Sequence, residues 1–163
     1  MNIFVLSKSL KRCARYHADK HLVKMILESA QLLCSAHIVL DNVIMINDVK
    51  LYRLTHKNHP CAIWTRASSS NYEWLYKLFC ELCKEYTFRY GKIHLTETKL
   101  KCALSFVPIN APNGPVTDFA LAMPDSCKTA DPIESYRNYY KSHKSHLFKW
   151  TKRDVPKWII SSI

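Results

Sequence analysis

Only two glycines, Gly91 and Gly114, occur in 163 residues. The P-loop and the dinucleotide-binding turn both need several glycines for tight turns and close backbone approach to phosphate. Those folds are excluded, and any bound phosphate must be held by Lys, Arg or a helix N-terminus. What remains is dominated by apolar residues at helical spacing. After a short apolar opening at Ile3 to Leu6, residues 10–40 predict one long helix or two abutting ones. "NYEWLYKLFCELCKEYTFRYG" predicts a second long helix, with Trp74, Leu75, Leu78, Leu82 and Tyr86 near one face and Gly91 as its stop.

The connections carry their own signals. "DNVIMINDVKLY" (41–52) suits an extended stretch or a small strand pair, through its β-branched content. Pro60 fits the first turn of a short helix, with Asn58 as a candidate cap, and Ser68 to Ser70 mark a break. A further short helix is expected within 95–106. Residues 107–124 hold four prolines and Gly114, and so form a wrapping loop. Asp131 and Pro132 then open a basic, aromatic C-terminal helix. The expected fold is mainly α: a single compact helical domain over residues 1–163.

Charge narrows the partners. Twenty-four Lys and Arg against 13 Asp and Glu give a formal charge of +11, a surface that attracts polyanions, DNA or nucleotides before acidic membrane. No unbroken apolar run approaches the roughly 18 residues needed to span a bilayer, and the opening is not a secretory signal, so no membrane association is expected. Seven cysteines, an odd number placed mostly inside helical stretches, point to free thiols in a reducing intracellular compartment. His17-x3-His21 and Cys80-x2-Cys83 have ligand-like spacing. Without a second cysteine pair they read as structural residues, and neither a metal nor a cofactor is expected.

The stretch "YHADKHLVKMILESAQLL" (16–33) carries the chemistry. At about 100° per residue, His17, His21, Lys24, Glu28 and Gln31 fall in one stripe beside an apolar side of Leu22, Met25, Ile26, Leu32 and Leu33. A base, an amine and a carboxylate on one rigid helix suit acid/base work. A solvated face with ordinary pairs such as Lys24–Glu28 has the same pattern. Nucleic-acid contacts are expected from Arg15, His17, Lys20, His56, Asn58, His59 and Arg66 in the first half. Arg137, Tyr140, Lys141, Lys144 and Lys152 are the candidates in the second, where basic residues alternate with stacking aromatics.

"ADKHLVKMILE" resembles the segment A-D-x-H-L followed six residues later by Glu in the pyrimidine-dimer DNA glycosylases of the phage endonuclease V type, and Asp19, His21, Leu22 and Glu28 match it. "NHPCAIW" and "YRNYYKSHK" are similar to later segments of that family, and the whole chain is similar to small proteins of phages and large DNA viruses. The resemblance implies a virus-encoded enzyme in the host cytoplasm or nucleus. It would act on damaged or modified pyrimidines, with an amine attacking the sugar C1′ and Glu28 as catalytic carboxylate assisted by His21. An α-amine, with a reference pKa of roughly 8, is the better nucleophile. The bulk of Asn2 disfavours methionine removal and makes Met1 the candidate, while Lys24 is a second candidate amine. Leu27 stands where the family has an arginine. Two other classes stay open: a non-catalytic nucleic-acid-binding protein, and an enzyme or sequestering protein for a small nucleotide.

A phosphate-dominated interface responds to salt. DNA binding is expected to weaken by about 10³-fold between roughly 50 and 200 mM salt, the loss for about six neutralised phosphates. Fluorescence anisotropy across a salt series checks this, and a flat dependence refutes it.

Overall fold

Four successive apolar side chains, Ile3 to Leu6, fit neither a one-sided helix nor an alternating strand, so they need cover on every side. In the computed structural model, which describes residues 1–160, this irregular segment threads the core and none of the four is more than 4% exposed. Side chains pair several of its backbone groups. The Leu6 amide donates to Cys13 Sγ, the Cys13 thiol donates to the Phe4 carbonyl, and Arg137 Nε donates to the Leu6 carbonyl.

The chain is mainly α, with helices α1 (Leu10–Tyr16), α2 (Asp19–Asp41), α3 (Pro60–Ala67), α4 (Ser69–Tyr90), α5 (Leu95–Leu100), α6 (Pro132–Lys144) and α7 (Lys157–Ile160). A two-residue hairpin, β1 (Met45–Ile46) with β2 (Val49–Lys50), joins α2 to α3. The two long helices, α2 and α4, form the centre. α3 and α5 pack on α2, and α1 lies against α4. Residues 161–163, the end of the expected domain, lie outside the described residues.

Several boundaries differ from the sequence reading. Of the two forms expected for residues 10–40 the structure has two helices, separated at His17 and Ala18, both extended, where the C-terminal segment occupies the junction. The Tyr140 hydroxyl accepts from the Ala18 amide at 2.7 Å, and the Lys149 carbonyl accepts from the Asp19 amide at 2.8 Å. His59, not Asn58, caps α3 through a ring nitrogen. Of the serine run only Ser68 breaks the chain, since its hydroxyl caps α4 while Ser69 and Ser70 are helical. The basic C-terminal helix ends at Lys144, so Lys149, Lys152 and Arg153 sit on loops. α2 is, by length and composition, apolar enough to cross a membrane, contrary to the expectation of no such stretch. Here 67% of that apolar window is buried inside the fold.

The proline-rich loop lies across the core as expected, and Asn71 holds it there. Asn71 is fully buried at the start of α4, where its amide nitrogen donates to the Trp64 carbonyl and Thr117 Oγ1, and its oxygen accepts from the Thr117 amide. The loop in turn seats Phe119 against Trp64 and Trp74, with ring centres 5.2 and 4.7 Å away. Gly91 ends α4 at φ +67°, a conformation that costs other residues steric strain.

One buried network ties the two central helices to the C-terminal segment. Arg89, wholly buried on α4, donates to Asp19 at 3.0 Å, to Glu85 at 2.8 Å and to the carbonyls of His17 and Arg15. Thr151 and Arg153 complete the two carboxylates. Such a pair is weak evidence of net stabilisation, but losing one partner strands buried charge. Arg89→Met is therefore expected to cost about 3–5 kcal/mol in urea unfolding; a loss below about 1 kcal/mol would refute the coupling.

The same junction makes stability depend on pH. Burial drives the His17 imidazole from 6.5 down to about 4, opposed by its bond to the Cys13 carbonyl and assisted by Arg89. The unfolded chain takes up this proton near pH 6.5, whereas the folded chain resists until about pH 4. The contribution of neutral His17 is thus complete above 6.5 and lost as pH falls toward 4, a change of about 3 kcal/mol. Urea midpoints at neutral and mildly acidic pH should diverge accordingly, and a His17→Phe variant should show a flatter profile.

Candidate active site

Glu28 sits in the middle of α2 on the side turned toward the chain's first residues, and it is 8% exposed. Its Oε2 accepts the Asn2 amide at 3.0 Å and lies 3.9 Å from the α-amine of Met1. Oε1 lies 3.5 Å from Lys24 Nζ, one helical turn away. The Lys24 side chain is 66% exposed, so this last pair is a screened surface contact.

These groups share a cavity of about 220 Å³. Met1, Asn2, Phe4, His21, Lys24, Met25 and Glu28 form one side; His59 enters from the start of α3, and Ala122, Tyr139 and Lys144 close it from the C-terminal half. All four sequence candidates for catalysis, Glu28, His21, Met1 and Lys24, are thus brought together.

Asn2 fixes the start of the chain. Its side-chain nitrogen donates to the Ala122 carbonyl at 2.7 Å, and its oxygen accepts from the Ile3 amide and the Cys61 thiol. With the side chain pinned this way, the two adjacent backbone nitrogens have little choice but to face Glu28.

His21 is held with a defined tautomer. Because the Tyr140 hydroxyl accepts from the Ala18 amide, its own proton is free for His21 Nδ1, 3.1 Å away. The proton of the neutral ring then resides on Nε2. Burial, then the neighbouring His17, Lys144 and Lys24, pushes its pKa well below the usual value, so His21 is a neutral donor at pH 7. The Phe4 ring meets it edge-on at 4.4 Å and stacks on Tyr139 at 5.6 Å.

The expected nucleic-acid residues are dispersed. His59 and Lys144 line the cavity. His17 is buried, donating to the Cys13 carbonyl, and it drops out of the stripe because it precedes α2. Tyr140 is buried as well, with its hydroxyl against His21 Nδ1. Lys20, His56 and Asn58 are exposed. Arg66 donates to the Lys57 carbonyl, and Lys152 to that of Phe88. Arg15 lies beside Glu85 and Arg153 in a separate depression. Arg137 and Lys141 line another with Trp158, and both sit over its ring. Sequence reasoning missed Phe4, Met25, Ala122 and Tyr139 as cavity walls, and Asn2 as an anchor. The stacking potential of the YRNYY segment pointed to its tyrosines without separating the one that faces the cavity. Among the described residues no cluster of three or more His, Cys, Asp or Glu could hold a metal ion.

A family model described as pyrimidine dimer DNA glycosylase matches residues 1–98. No curated protein and no solved structure matches the chain. The matched region contains Met1, His21, Lys24, Glu28 and His59, while Ala122, Tyr139 and Lys144 lie beyond it. The chain belongs to the pyrimidine dimer DNA glycosylase family.

Proposed function

We propose that this protein is a DNA N-glycosylase with abasic-site lyase activity toward damaged or modified pyrimidines, using the α-amine of Met1 as nucleophile and Glu28 for proton transfer. The observation that carries the reading is the placement of the Met1 nitrogen 3.9 Å from the Glu28 carboxylate inside one cavity. Lys24, the competing amine, lies 3.5 Å from the other Glu28 oxygen, but on a side chain that is 66% exposed, and an exposed ammonium has no burial to bring it toward the neutral form that attack requires.

The neutral amine attacks C1′ of the target nucleotide. The bond from C1′ to the base breaks, and the base leaves with the electron pair. The C1′–O4′ bond then opens, giving an imine between Met1 and the sugar, and O4′ takes up a proton. Loss of the C2′ proton and departure of the 3′ phosphate complete strand cleavage. Glu28 accepts the proton that the amine sheds and returns it where an oxygen needs one, while its charge favours the cationic imine. His21 offers Nε2–H as a neutral donor.

Asn2 supports a second version of the same chemistry. Its backbone nitrogen is already 3.0 Å from Glu28. Removal of Met1 would leave an α-amine at that position with the side chain pinned as before.

Incubating the protein with abasic-site DNA and borohydride should yield a covalent adduct, and peptide mapping should place it on Met1 or Asn2. Glu28→Gln should trap and nick about 10²–10⁴-fold more slowly. An adduct on Lys24 would replace the nucleophile. No adduct, with nicking equal to Glu28→Gln, would leave a DNA-binding protein without this chemistry, and stabilisation by free nucleotides alone would favour a nucleotide-directed role.

A further inference from the structure

His59 lines the cavity while one of its ring nitrogens is held in a structural bond. As the N-cap of α3 it accepts the Cys61 amide at Nδ1, 3.2 Å away. A nitrogen that accepts carries no proton, so the neutral ring bears its hydrogen on Nε2, at the end remote from the backbone. Pro60, next in the chain, favours the extended backbone conformation that His59 adopts, and the bond from the Cys61 amide holds the ring. Burial lowers the pKa of His59, and the Met1 ammonium and His56 lower it further against an opposing pull from Glu28. The imidazole is therefore neutral at pH 7 and stands within electrostatic reach of both proposed reacting groups. No described residue hydrogen-bonds Nε2.

His94 shows what capping alone asks of a histidine. It caps α5 in the same way, accepting the Thr96 amide at Nδ1 at 3.2 Å. Its ring rests edge-on against Tyr86 at 5.0 Å and lines none of the catalytic cavity. Capping accounts for one nitrogen of His59. It does not account for the residue's place in the wall of the cavity that also holds Met1 and Glu28.

We propose that His59 is a further catalytic residue, donating a hydrogen bond from Nε2–H to the deoxyribose ring oxygen as the C1′–O4′ bond breaks. This rests on the imine chemistry proposed above. When that bond opens, its electron pair moves to O4′, and a fixed donor there lowers the cost of the growing charge. His59 keeps its own proton, because giving it up would leave an imidazolate. The proton that finally settles on O4′ is the one shed by the amine and carried by Glu28. The two residues thus divide the work: Glu28 moves the proton, and His59 holds the oxygen that receives it.

The experiment uses replacements that keep the cap. Asn and Ser both cap helices well, so His59→Asn and His59→Ser preserve the α3 start and remove Nε2–H. Single-turnover borohydride trapping on abasic-site DNA should slow by about 10²-fold or more in both variants, the usual effect of deleting one such donor. Affinity for DNA bearing a tetrahydrofuran abasic analogue, and the melting temperature, should stay near those of the unaltered protein. His94→Asn should trap at the normal rate. Normal trapping by the unaltered protein with variant rates within a few fold of it would overturn the role of His59 and leave the imine mechanism standing. A rate loss matched by an equal loss of affinity or of folding in both variants would make His59 a binding or structural residue, which also overturns it. An unaltered protein that forms no adduct would remove both proposals.

Discussion

The placement of Asn2 governs the site. Its side chain is bound by the Ala122 carbonyl, the Cys61 thiol and the Ile3 amide, and four buried apolar residues follow it into the core. An α-amine at a chain terminus normally samples many positions, and holding it beside a carboxylate costs conformational entropy. Here that cost is met by packing that has nothing to do with chemistry. Glu28, fixed on the most buried helix, needs no movement to meet the amine. The geometry on which the proposed reaction depends is inherited from the core.

Which parts of this were legible in advance follows from the range of each interaction. The two long helices, the Pro60 helix start, the wrapping loop and the Gly91 stop depend on local periodicity and turn chemistry, and they appeared where expected. The split at His17 depends on Tyr140 and Lys149, more than a hundred residues away, and no local signal carries it. The shared cavity face of His21, Lys24 and Glu28 was readable because those residues lie on one helix. His17 fitted the spacing but lay before the helix began. Tyr140 and Tyr139 are neighbours in sequence with opposite fates, one buried against His21 and the other on the cavity wall. Only tertiary packing separates them.

The two halves of the chain contribute differently. The family match ends at residue 98, and it contains the carboxylate, the α-amine and both cavity histidines. The segment beyond supplies what holds and encloses them. Ala122 anchors Asn2, Tyr140 sets the His21 tautomer, and Tyr139 with Lys144 forms the far wall. The buried Asp19–Arg89–Glu85 network carries that dependence back into α2 and α4 through Thr151 and Arg153. Leu27 leaves no guanidinium beside Glu28 on α2, and the cationic side chains lining this cavity are the lysines Lys24 and Lys144 on α2 and α6. A lysine offers a point charge in place of a planar fork, so it can attract phosphate without fixing its orientation.

The buried beginning of the chain also decides how the molecule tolerates extension. A peptide fused ahead of Met1 would leave through the cavity itself, filling the space beside Glu28 and turning the amine into an amide. Acetylation of Met1 would likewise remove the free amine beside Glu28.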